Sequence, residues 1–206
     1  MLVAATVCAV ACGSRAPCVP EADGAGGGLP AVKMRHQISF AQGDDVQVFD
    51  GYMLLAGERL LVKAFAGPGV DLFTVVRDGA AHGERLHIKG LADRMDMAKV
   101  GADIARVYLG GCPHPAGAAE ATCAFYDEPM IESFDDGGRL VGRSFPQAHG
   151  IGLTVTYAEF APFDCGERAR RIVLRWGGSA NEMVIRLVAC ERLERVDPGV
   201  FAIGEP

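Results

Sequence analysis

Alternation of apolar and polar side chains with a period of two dominates this chain and commits most of it to β-structure. Tyr52, Leu54 and Ala56 run to the turn Gly57-Glu58, after which Leu60, Val62 and Ala64 resume the pattern. Val70, Leu72, Thr74 and Val76 alternate with Asp71, Phe73, Val75 and Arg77 up to Asp78-Gly79, and Leu86 and Ile88 alternate with Arg85, His87 and Lys89. Successive side chains of a strand point to opposite faces, so short runs broken by Gly-containing turns read as an antiparallel meander. The same reading applies to Met130–Asp135, the turn Asp136-Gly137-Gly138, Arg139–Phe145, and the Ile151, Leu153, Val155, Tyr157 face. A last pair, Arg171–Trp176 and Met183–Cys190, is joined through Gly177-Gly178-Ser179. The pattern predicts roughly nine or ten strands.

One segment departs from it. Between Asp96 and Tyr108, Met97, Val100, Ile104, Val107 and Tyr108 recur at helical spacing, with Lys99, Asp103 and Arg106 placed elsewhere on the turn. Gly110-Gly111 and Pro113 end that helix.

Several strands are apolar on both faces, Val70–Val76 and Met183–Val188 above all. A sheet wetted on one side shows cleaner alternation. The expected fold is therefore mainly β (α+β): a curved antiparallel sheet, or half-open barrel, whose concave face is covered by the single helix. Leu54, Val62, Leu72, Val76, Leu153, Val155, Leu174, Ile185 and Leu187 are expected in the core or as the wall of an apolar cavity.

The N-terminus reads as an address. Leu2 to Ala11 is an almost unbroken apolar run, too short to span a bilayer, and it leads into Ala9-Val10-Ala11-Cys12-Gly13. Small residues before a cysteine resemble the lipobox of bacterial lipoproteins, which implies acylation (palmitate among the chains) of Cys12 and removal of residues 1–11. Gly24-Ala25-Gly26-Gly27-Gly28 lies in a Gly/Ala/Pro-rich tether over 12–33. Residues 34–206 are left as one β-rich domain. Gly13 after the anchor fits outer-membrane sorting by the same resemblance, and the lipid is the expected membrane attachment.

Beyond Cys8, Cys12 and Cys18, the cysteines are Cys112, Cys123, Cys165 and Cys190. An oxidising compartment would pair these four, and they allow three pairings. Cys112 and Cys123 flank a Pro/Gly/Ala loop, while Cys165 and Cys190 bracket a hairpin. Tight Cys-x-x-Cys spacing is absent, so no metal site is expected.

Twenty Lys and Arg against 26 Asp and Glu are interspersed, giving a net charge of −6. No basic patch with aromatics supports nucleic-acid binding. The chain lacks a Gly-x-Ser-x-Gly elbow, a phosphate-cradling glycine loop and a His-Glu-x-x-His helix. His82, His87 and His114 read as surface groups, and Asp135-Asp136 as turn residues. His149, with Tyr157 and Asp164 downstream, is the residue set an enzyme would use, and no nucleophile is presented beside it. Neither a cofactor nor an enzymatic activity is expected.

The run Leu60-Leu61-Val62-Lys63-Ala64-Phe65-Ala66-Gly67-Pro68-Gly69-Val70-Asp71-Leu72-Phe73 resembles the strand, Gly/Pro turn and strand of LolA/LolB-type envelope lipoproteins. Val155–Phe160 followed by Arg170–Arg175 is similar to their terminal strands. The resemblance, spanning about Ile38 to Val188, implies a half-open barrel that receives acyl chains, with Pro68 and Val70 in a membrane-facing loop. The expected function is a lipid-anchored periplasmic protein, outer-membrane bound, that binds an acyl chain or lipidated partner in an apolar cavity. The alternative is an envelope scaffold without a lipid cavity, whose sheet edge or helix face meets a protein partner.

Overall fold

A computed structural model of the chain describes residues 29–43, 45–67, 70–79, 81–87 and 96–202. Cys12, Pro68 and Ile88, together with residues 12–28 of the expected tether, lie outside them.

Eleven strands form one curved antiparallel sheet that does not close. The first meander comprises β1 (Leu29–Gln42), β2 (Asp45–Ala56), β3 (Arg59–Phe65), β4 (Asp71–Asp78) and β5 (Ala81–Leu86). After the helix α1 (Met97–Tyr108) the second comprises β6 (Glu120–Phe125), β7 (Glu128–Phe134), β8 (Leu140–Phe145), β9 (Leu153–Phe163), β10 (Gly166–Trp176) and β11 (Glu182–Val196). The meanders join where β1 pairs with β11, in a register that sets Ile38 opposite Ile185. Strand β1 takes up residues 29–33, placed in the tether by composition, and β6 is a strand the alternation did not reveal.

The turns explain the meander. Gly57 (φ +60°) and Gly79 (φ +58°) adopt the left-handed conformation that tight hairpin turns need and that glycine reaches without strain. At the β1–β11 junction the register slips between Arg35 and His36, so Val188 is bulged out and 46% exposed.

The concave face holds the main core. Met53, Leu60, Phe73, Val75, Met130, Phe145, Leu153, Val155 and Leu174 are all but inaccessible. Each contributes on the order of 1.5–3 kcal/mol by leaving water. A second, smaller cluster lies on the outer face, where Ala31, Leu54, Ala56, Leu61 and Val76 are covered by Phe201 from a C-terminal 3-10 turn, Pro198–Phe201. Strands β3 and β4 are thus apolar on both sides because both sides are covered.

Helix α1 lies against the concave face. Asp96 caps its N-terminus, its carboxylate accepting from the Lys99 amide at 3.2 Å. At the other end Arg143, buried on β8, donates to the carbonyls of Arg106, Val107, Leu109 and Gly110 at 2.8–3.1 Å. Those carbonyls have no partner within a helix end, so the side chain replaces solvent there. Glu132 on β7 holds Arg143 through a 2.9 Å ion pair and also accepts from the Cys112 amide at 2.8 Å. Cys112 is bonded to Cys123 and Cys165 to Cys190, with Cα separations of 5.5 and 5.6 Å.

Candidate functional site

Alternation along β1 carries Met34, His36, Ile38 and Phe40 to the concave face, and the bulge at Val188 brings Leu187 opposite His36. Past the end of α1 this face stays open as a cavity of about 400 Å³. Its walls are Met34, Leu55, Leu140, Tyr157, Phe160, Ala169, Ile172 and Leu187. The cavity is of the size and lining usual for small-molecule sites.

His36 and Tyr108 are the polar pair of this cavity. The Tyr108 hydroxyl lies 2.9 Å from His36 Nε2, and the ring centres are 5.5 Å apart with the planes tilted by 56°. Burial pushes the His36 imidazole down to about 4, so it is neutral at physiological pH. Burial also raises the Tyr108 phenol, and raises that of Tyr157 to about 12. Tyr157 donates to the Val107 carbonyl at 2.7 Å, a further tie between wall and helix. Chemically the interior offers apolar surface with its hydroxyls already engaged.

Charge is confined to the rim. Arg139 pairs with Asp135 at 2.8 Å and with Glu167 at 3.7 Å, and its guanidinium sits 5.0 Å from the centre of the Phe160 ring. Hydrogen bonds from the Arg139 amide and side chain hold the Asp135 carboxyl below its usual range. Arg168 completes the rim.

Of the nine residues expected as core or cavity wall, Leu187 lines this cavity. Val62, Leu153, Val155, Leu174 and Ile185 pack in the main core, and Leu72 lies partly buried against it. Leu54 and Val76 belong to the outer cluster instead, since they sit one residue out of phase with Met53 and Val75. Val70 is 46% exposed just before β4. His36, Tyr108, Phe160 and Arg139 were not singled out by sequence. The detectable signal was His36, a polar residue at an inward position of an otherwise apolar alternation.

Of the residues read as an enzyme's, His149 and Tyr157 are hydrogen-bonded to helix α1. His149 Nε2 lies 2.9 Å from Asp103, not beside Tyr157 or Asp164 in any hydrogen bond. Asp103, expected on the helix's polar side, is buried, because Trp176 Nε1 (2.9 Å), Arg106 (2.7 Å) and His149 all bind it. Arg106 extends the network to Glu128 at 2.8 Å. This network fastens α1 to β7, β10 and the turn before β9.

A larger hollow, about 850 Å³, lies elsewhere, over β1, β2 and β11. Its lining includes the charged side chains of Lys33, Arg35, Asp50, Asp164 and Glu191, and it is a groove on the outer face of the sheet and not an interior.

The fold is similar to that of solved LolA superfamily structures. A crystal structure of a LolA superfamily protein from Nitrosomonas europaea aligns over 84% of this chain and 90% of its own, with a TM-score of 0.57 at 15% identity. A protein domain from Vibrio parahaemolyticus, assigned to outer membrane lipoprotein sorting, aligns over 83% and 88%, with a TM-score of 0.56 at 10% identity. At such identities the likeness is one of fold. No protein-family model and no curated protein matches the sequence.

Proposed function

We propose that the chain is a lipid-anchored envelope protein that takes an acyl chain, or a lipidated partner, into the cavity beside His36 and Tyr108. The observation that carries this reading is an open apolar cavity of about 400 Å³ on the concave face of a LolA-like sheet. The lipoprotein-sorting assignment of the Vibrio parahaemolyticus neighbour supports the same class of ligand. Binding would draw on burial, about 25 cal/mol per Å² of apolar surface, with the rim arginines meeting polar groups that stay in water. Cys12 would be the acylated anchor after loss of residues 1–11, and the glycine-rich segment after it would let the domain stand off the outer membrane. The loop of Pro68 and Val70 would face that membrane. This reading assigns carriage, not catalysis.

A scaffold reading has one observation in its favour: α1 and its network fill much of the concave face, and β5 and β6 remain as sheet edges. Native mass spectrometry separates the two. The chain from Gly13 onward, exported behind a cleavable signal and purified from the periplasm, should carry a stoichiometric lipid adduct released by organic solvent. A bare chain mass would favour the scaffold. Cys12→Ser tests the anchor independently, and a variant still fractionating with membranes would refute lipidation as the attachment.

A further inference from the structure

The cavity beside His36 and Tyr108 has a capacity set by how firmly its walls are held. A methylene group fills roughly 27 Å³, close to a water molecule's share of its liquid, so a cavity of about 400 Å³ takes about fifteen carbons of one chain. Three such chains would need roughly 1,200 Å³.

Enlarging that volume along the concave face requires α1 to move, because Tyr108, in the last turn of the helix, is part of the wall. Tyr157, another wall residue, donates to the Val107 carbonyl at 2.7 Å. Arg143 binds the carbonyls of Arg106, Val107, Leu109 and Gly110. One turn back, Asp103 accepts from Trp176 Nε1 at 2.9 Å, and Met97, Ile104 and Val107 are buried. Just beyond the helix, the Cys112–Cys123 disulfide ties the chain to β6. The apolar wall residues Met34, Leu55, Leu140, Phe160, Ile172 and Leu187 stand on paired strands, which ladder hydrogen bonds hold about 4.8 Å apart. Arg139, Glu167 and Arg168 lie at the rim, where a single polar headgroup would remain in water.

Taking this cavity as the acyl site proposed above, on which the point depends, we infer that it admits one chain at a time and that its ligands are single-chain lipids. A free fatty acid and a lysophospholipid share that chemistry. The three chains of a triacylated lipoprotein exceed the volume. Entry by one of them would leave two outside, forfeiting most of the apolar burial available.

Photo-crosslinking of the full chain in phosphatidylcholine nanodiscs tests this. Three probes with a diazirine in the acyl chain are compared at equal mole fraction: palmitic acid, palmitoyl lysophosphatidylcholine and a tripalmitoylated cysteine peptide. Tandem mass spectrometry locates the labelled residues, and labelling of the disc's scaffold protein corrects for partitioning. At least one single-chain probe should label the segments around Met34, Phe160 and Leu187 at least tenfold more than the triacyl probe does. Labelling by the fatty acid alone would identify a free acid as the ligand, by the lysolipid alone a lysophospholipid, and by both a site that reads only the chain. Triacyl labelling of these segments above a tenth of the single-chain level would overturn the one-chain site while leaving acyl carriage in place. If no probe labelled them, the carriage reading would fall and the one-chain site with it.

Discussion

Arg143 and Glu132 form an ion pair at 2.9 Å with both side chains almost wholly buried, and the same guanidinium closes the C-terminal end of α1. A pair so placed is costly to form and costlier to break, since removing one partner strands a charge in the core. Arg143→Ala should destabilise the protein by about 3–5 kcal/mol in urea denaturation. A loss under about 1 kcal/mol would mean that solvent reaches the carbonyls of α1 readily and that the clamp is incidental.

His36 makes stability depend on pH. Its folded-state value of about 4 lies below the ordinary 6.5, so the unfolded chain binds the proton more tightly. The contribution is therefore complete above pH 6.5 and is lost as pH falls toward 4. The total is about 3 kcal/mol for such a depression. Unfolding measured at pH 7 and pH 4.5 should fall more steeply for the native chain than for His36→Leu; parallel curves would show that the imidazole is not buried as a neutral group.

Gly101 faces Val75 where α1 crosses β4, and a methyl group there would sit 2.9 Å from Val75 Cγ1. Alanine is the better helix former, yet Gly101→Ala should cost about 1–3 kcal/mol through this overlap. Adding Val75→Ala should recover part of the loss, and a double-mutant cycle with no coupling would show that helix and strand are not in contact.

Ala169 is a small residue in the cavity wall. Ala169→Phe should fill the space and cut any lipid adduct at least tenfold in native mass spectra. The melting temperature should fall by no more than about 10 °C, the range expected for moderate overpacking in a domain of this size. An adduct of undiminished occupancy would place the ligand elsewhere.

The two disulfides close loops of different length, with separations of 11 and 25 residues. The chain-entropy relation gives about 3 kcal/mol for the shorter loop and slightly more for the longer. Cys165→Ser/Cys190→Ser should thus lower the urea midpoint at least as far as Cys112→Ser/Cys123→Ser does. The opposite order would mean that Cys112, whose amide is bound by Glu132, contributes beyond chain closure.

Much of the fold was legible in order along the chain. Turns at Gly57-Glu58, Asp78-Gly79 and Asp136-Gly137-Gly138, the strands between them and helix 97–108 all follow from local pattern, because each depends on neighbours a few residues away. β6 escaped, since the inward positions of Glu120–Phe125 are filled by the small residues Ala121 and Cys123 before Phe125, which makes its alternation faint in sequence. Half of the site escaped for a different reason: Tyr108 reads as one more apolar helix residue until His36, 72 positions earlier, lies across from it.

The amino-acid sequence by itself determined that this chain alternates into a β-meander interrupted by one helix, since backbone geometry converts side-chain period directly into strand and helix. Only the tertiary structure decided which face of each strand turned inward. Leu54 and Met53 are equally apolar neighbours, and Phe201, 147 residues beyond Leu54, covers one while the helix-side core receives the other. Likewise Asp103 is buried where Trp176 and His149, both distant in the chain, join Arg106 in binding its oxygens. Burial of a doubly apolar strand or a paired charge is a property of its partners, and those are set by chain crossings that local pattern does not encode.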